Sequence, residues 1–250
     1  MSKELVPFNA DQLNQLPSTQ LGTDESFNDL AKNSGFLKYL KLCSNDKYAK
    51  AGKIASGHWG IPDSDGAIQD LGTSIDVLPL AKRPKAVDMK DKSALIISYD
   101  VTAAEFKRIR LEAAEKDSDC QFGVSFLVLE RSTGQFLELF FGNETSRRKL
   151  QEVYPYLPLS QADIDARAAN KQDVTDLEPH FALPLTINIK FIEDKKGRSW
   201  HGPVPVKCSA PFAKIPPIEE IVEAITRFKA VKSDGVEKIA EPEGKKKRAH

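Results

Sequence analysis

The sequence predicts a mainly β, α+β protein: an antiparallel OB-like barrel or sandwich with peripheral helices. Three observations lead there. Residues 121–142 read as two apolar runs joined by Arg-Ser-Thr-Gly, a hairpin signal. Residues 184–210 repeat the pattern with a basic turn. Helical periodicity is sustained mainly over 102–116 and 216–230, so helices are few and strands dominate.

Residues 1–35 are polar and broken by Pro7, Pro17, Gly22 and Gly35, and read as an extended arm. Residues 36–230 form the β-rich core domain. The run FLKYLKL (36–42) is ambiguous, because it spaces Phe36, Tyr39 and Leu40 as a helix face yet also alternates as a strand. Short strands follow in 53–61, 70–81 and 93–100, with a turn at Pro62–Gly66 between the first two. Pro79 and Pro84 predict an edge or bend, because proline cannot donate to a ladder.

Helix 102–116 has Thr102 as its expected cap, Glu105 at the third position, and a stripe of Phe106, Ile109 and Ala113. In the 121–142 hairpin Phe122, Val124, Phe126 and Val128 share one face, and Leu127 and Leu129 the other. A strand apolar on both faces belongs at the centre of a sheet. A short helix from 145 is ended by Tyr154-Pro-Tyr-Leu-Pro, and Ser160 caps a second over Gln161–Ala169. Residues 170–180 read as a loop. In the second hairpin Ile187, Ile189 and Phe191 are expected inward, with Trp200, Val204, Val206 and Cys208 aligned by parity on the return strand. Pro216 and Pro217 open the last helix, where a missing N–H costs nothing, and Ile218, Ile221, Val222, Ile225 and Phe228 form its apolar face. Residues 231–250 form a charged tail ending Lys-Lys-Lys-Arg-Ala-His.

The composition is that of a globular chain: 250 residues, 40% apolar, 29% charged, with 36 residues of each sign. Zero net charge excludes binding nucleic acid by bulk charge, so any anion site must be local. No apolar run is long enough to span a membrane, and the N-terminus lacks the features of a secretory signal. Cys43, Cys120 and Cys208 are widely spaced and lack CxxC pairing, which argues against a disulfide framework or zinc ribbon.

No catalytic motif emerges, and the chain reads as a non-enzyme without cofactor or metal. The histidines at 58, 180, 201 and 250 form no HxH, HxxxH or HExxH pattern. Gly60–Gly66 has two Asp residues in a faintly calcium-loop-like order but lacks the glutamate at loop position twelve, where Ser74 stands. Cys120 follows an acidic stretch and reads as a small buried residue rather than a nucleophile.

What remains is basic clusters beside aromatics. They are Lys82, Arg83 and Lys85; Arg131 at the first hairpin turn; Arg147 and Arg148 at its exit; and Lys195, Lys196 and Arg198 at the second turn. Trp59, between two glycines, is the expected stacking aromatic, while Trp200 has core parity. Single-stranded DNA is held by such a combination of phosphate-tracking cations and aromatic faces.

The runs 70–89, 120–148 and 199–212 resemble a family of largely uncharacterised phage-encoded proteins, over roughly residues 36–230. The resemblance implies kinship with phage single-stranded DNA-binding proteins, which commonly use OB folds. It also implies a role in replication or recombination, phage replication proteins as partners, and a location in the cytoplasm of the infected host cell. Those binders end in an acidic tail, whereas this chain ends basic. The alternative is a phage virion structural protein with a β-barrel core and extended arms, a reading that neutral charge favours. A homo-oligomer is compatible with both.

Overall fold

A computed structural model describes residues 37–44, 46–63, 66–91, 95–115, 118–142, 149–193, 197, 199–208, 212 and 215–230. The expected arm (1–35) and tail (231–250) lie outside the described residues.

The chain is mainly β. Nine strands form one sheet: β1 Lys38–Cys43, β2 His58–Pro62, β3 Ile68–Gly72, β4 Ser74–Asp88, β5 Ile96–Ser98, β6 Cys120–Glu130, β7 Phe136–Phe141, β8 Leu185–Glu193 and β9 Ser199–Lys207. Their order is β3-β2-β1-β7-β6-β4-β8-β9, with β5 on the far end of β4. Among the described residues four helices accompany them: α1 Lys47–Lys50, α2 Ala104–Glu112, α3 Gln161–Ala169 and α4 Ile218–Ala230. Tight 3-10 turns occupy Lys149–Glu152 and Tyr154–Tyr156.

Two expectations about architecture are corrected. The sheet is open rather than a closed barrel, with β3 and β9 at its edges. It is also mixed rather than wholly antiparallel, because β1 joins β7 in parallel register, Lys38 opposite Leu137. That insertion settles residues 38–42 of the ambiguous run as strand: period two places Leu40 and Leu42 on one face and Tyr39 on the other.

The β6–β7 hairpin is central, with β6 laddered to β7 on one side and to β4 on the other. Its two-sided apolarity meets two cores. On the inner face Phe126 and Val128 pack with Trp59, Val77, Leu139 and Ile187. On the outer face Leu127 and Leu129 pack under α4 through Ile221, Ala224, Ile225 and Phe228. The turn is held by Glu130, whose buried carboxylate accepts from the amides and hydroxyls of Ser132 and Thr133 at 2.7–2.9 Å.

Strand β4 pairs with β8 over Ser74–Val77 and with β5 over Ala86–Asp88. Pro79 and Pro84 fall in the interval between, beside a bulge at Pro79/Ala81. The expected edge is therefore local: proline sits where β4 has no ladder partner on that side among the described residues.

Two local details differ from expectation. Helix α2 begins after Ala103, which offers no side-chain cap, because Thr102 is engaged by Asp100, its hydroxyl and amide both donating at 2.7 Å. Along β9 Gly202, Pro203 and Pro205 are buried, while Val206 is exposed and Trp200 and Val204 are half-buried. Of the four residues aligned by parity, Cys208 is buried as expected and Val206 is not. The cap at Ser160 is as expected, completed as a capping box with Asp163.

The sheet curls on itself. The Trp59 indole on β2 donates to the Ile187 carbonyl on β8 at 3.1 Å, although β1, β7, β6 and β4 lie between them in the sheet. This curl gives the sheet an inner face that encloses the core around Trp59, Phe126 and Ile187.

Candidate nucleic-acid interface

The ten predicted contact residues separate by burial. Trp59 is a correction: it is 1% exposed, inside the inner core, with its indole bonded to Ile187. Its flanking glycines signal crowding instead of exposure, since a Cβ on Gly60 would stand 2.6 Å from Ile68. Trp59→Phe should destabilise by about 1–3 kcal/mol, because the buried Ile187 carbonyl loses its donor. It should leave oligonucleotide affinity unchanged, as chemical denaturation and a binding titration would check.

Arg83 and Lys85 are also corrected. Alternation along β4 turns them to the outer face, where they are 9% and 2% exposed. There they meet Glu138 of β7, 3% exposed: Lys85 Nζ lies 2.9 Å and Arg83 Nη2 3.2 Å from its carboxylate oxygens. The Ser125 hydroxyl donates to the same carboxylate, and Arg83 Nη1 donates to the Phe228 carbonyl near the C-terminus of α4 at 2.6 Å. Aromatic rings enclose both cations, Tyr99 and Phe228 facing Arg83, with Tyr39 and Phe140 near Lys85. Burial alone would raise the Glu138 carboxyl, but the charges of Lys85 and Arg83 and the two side-chain hydrogen bonds outweigh it and hold it below its ordinary value. This is a structural ion cluster, closed to phosphate.

Arg131 is half-buried at the hairpin turn and paired with Asp76 at 2.8 Å, so it braces β6 against β4. Arg147, Arg148, Lys195, Lys196 and Arg198 lie outside the described residues.

Lys82 differs from its neighbours in being exposed. Opposite Phe126 in the ladder, it emerges on the inner face and is exposed. Its ammonium stands 3.9 Å from the centroid of the Tyr154 ring, which in turn packs on Phe126. Tyr154 is 38% exposed and was missed by sequence reasoning, hidden in a proline-rich stretch that reads as a helix stop. Desolvation, then the positive charge of Arg167 on α3, push Lys82 below its ordinary value, against a weaker pull from Asp163. Lys82 thus lies in a local field to which Arg167 and Asp163 contribute with opposite signs.

A groove of about 610 Å³ follows Tyr154 along the chain, lined by Glu152, Pro155, Tyr156 and Leu183 together with Pro205, Lys207 and Cys208 of the β9 end. Ladder register puts Pro205 and Lys207 opposite Ile187 and Leu185, on the inner face with Lys82. Farther along β8, Phe191 has the same parity yet is 64% exposed, correcting its expected burial.

Cys43 and Cys120 are buried in settings that disfavour the thiolate. The Cys120 thiol is buried and donates to Glu112 at 3.2 Å; burial, then that carboxylate, push it up to about 11. Cys43 is pushed up to about 12, chiefly by burial. Asp88, Glu112 and Cys120 bring ligand atoms within 4.8 Å of one another, but Arg108 already bonds both carboxylates and Lys90 bonds Glu112. Among the described residues no helix is long and apolar enough to cross a membrane.

Comparison with family models, with curated proteins and with solved structures finds no match.

Proposed function

We propose that this protein binds single-stranded DNA on the inner face of its curled sheet, as a phage replication or recombination factor would. The observation that carries the reading is the exposed Lys82–Tyr154 pair, in the field of Arg167, with the groove lined by the next residues, Pro155 and Tyr156. Tyr154 offers a ring for a base, and Lys82 and Arg167 offer charge for the adjoining phosphate. Arg147 and Arg148 precede this patch by a few residues in the chain and add cations in sequence. Use of the face of an open, OB-like sheet is part of the same proposal.

The test is a fluorescence titration of a labelled oligonucleotide at several salt concentrations. Phosphate contacts release counterions, so Lys82→Ala should flatten the log–log salt slope by about 0.7. Tyr154→Ala should cost about 1–3 kcal/mol of affinity with little change in slope. A wild-type protein that fails to bind at low salt would remove this reading and leave the virion structural protein in its place.

A further inference from the structure

The β8–β9 hairpin outgrows the sheet. β4 leaves β8 at Ser74 opposite Asn188, and from Ile189 to Glu193 the ladder partner of β8 is β9. A two-stranded ribbon is marginal in water, so its attachment matters. Two contacts hold it. The Ile189 amide donates to the Thr73 carbonyl at 2.8 Å. His201 lies so close to Gly57, at the entry to β2, that a Cβ there would stand 2.7 Å from the imidazole.

On this anchored ribbon Phe191 faces its ladder partner His201, with ring centroids 5.3 Å apart and planes inclined at 65°. His201 supports the phenyl ring by an edge contact while Phe191 stays 64% exposed. A large, exposed, laterally braced aromatic has no role in the core, because Ile189 on the same face is the last β8 residue packed against that core. The same strand, β9, carries Pro205 and Lys207 into the groove beside Tyr154. Phe191, the groove and Lys82 therefore share one face, joined by β9. The segment closing the ribbon, Asp194 to Arg198, has three cations and one anion by sequence.

We infer that Phe191 is a second base-stacking station for the single strand bound at Tyr154, engaged once the strand is long enough to run along β9. The inference rests on the proposed DNA-binding function. From His201 to Pro205 the strand advances about 13 Å at roughly 3.3 Å per residue. The two stations thus demand several nucleotides, within the range of about 4–16 known for OB-type sites.

The experiment titrates wild type, Phe191→Ala and Phe191→Trp with oligothymidylates of increasing length. It adds photocrosslinking of an oligonucleotide carrying 5-iodouracil. Phe191→Ala should weaken long oligonucleotides by about 5- to 150-fold and leave the shortest unaffected. Phe191→Trp should retain affinity, and the crosslinked peptide should contain Phe191. Equal affinity of wild type and Phe191→Ala at every length, without a crosslink to the ribbon, would overturn the second station while leaving the Tyr154 site intact. Failure of wild type to bind any length would overturn both. Because Phe191 is exposed, thermal denaturation should report the same midpoint for all three proteins, separating lost stacking from lost structure.

Discussion

Glu138→Ala is expected to destabilise the protein by about 3–5 kcal/mol, the cost of breaking a buried ion cluster by removing one partner. Glu138 is the carboxylate that Arg83 and Lys85 share, and all three side chains are buried between the sheet and α4. Its removal leaves both cations desolvated without that counter-charge, and the Ser125 hydroxyl without its acceptor. Glu138→Gln keeps the shape and much of the hydrogen bonding, so its loss should be smaller and in the same direction. The pH dependence has a definite sign. The folded carboxyl titrates below its ordinary 4.5, so its contribution is fully present above that value and fades as pH falls through the folded pKa. Urea unfolding of wild type and Glu138→Gln from about pH 7 to about pH 3 should show their difference constant at first, then shrinking below pH 4.5. A difference that grows on acidification would mean that Glu138 is protonated in the folded protein.

The same cluster shows where sequence reasoning fails and why. Ala-Lys-Arg-Pro-Lys looks like a solvated basic run, and three cations in five residues invite one common reading. On a strand, however, Lys82 and its neighbours Arg83 and Lys85 must part to opposite faces, and that parity was available. The second signal was Glu138 inside Phe-Leu-Glu-Leu-Phe-Phe. A carboxylate in the middle of a buried apolar strand needs a buried cation, and the only question was which. By contrast, the β6–β7 hairpin, the α4 stripe and the Ser160 cap were legible, because each is specified by local periodicity or by a cap three residues away. What was not legible is long-range pairing. The parallel docking of β1 on β7 joins residues about a hundred positions apart, and no local pattern encodes the choice. Trp59 was misread for the same reason: its hydrogen-bond partner in space, Ile187, comes from the far end of the chain. Tyr154 escaped notice because prolines suggested only a helix stop, while the partner that makes it informative, Lys82, lies in another strand.

Phe126→Ala should cost about 3–5 kcal/mol, the range for a large aromatic deleted from a core that cannot collapse around the void. Phe126 has no exposed surface and sits on the central strand, flanked in the ladders by Lys82 on β4 and Leu139 on β7. Its ring meets Phe141 edge-on at 5.9 Å and supports Tyr154 at 6.3 Å. Backbone ladders on both sides fix the strand, so neighbours cannot move in without breaking hydrogen bonds, and most of the cavity persists. A second effect follows from the Tyr154 contact. Tyr154 loses the ring beneath it and Lys82 loses its ordered aromatic partner, so oligonucleotide affinity should fall in Phe126→Leu even where that variant remains folded. Phe126→Leu preserves most of the apolar volume and should lose less stability than Phe126→Ala, which lets binding be read on a native protein. Urea denaturation gives the first number and the salt-dependent titration the second. A stability loss below about 1 kcal/mol for Phe126→Ala, the size of an average point change, would show that the inner core does not depend on this ring. Unchanged affinity in Phe126→Leu would separate the inner core from the binding face and leave Tyr154 positioned by its prolines alone.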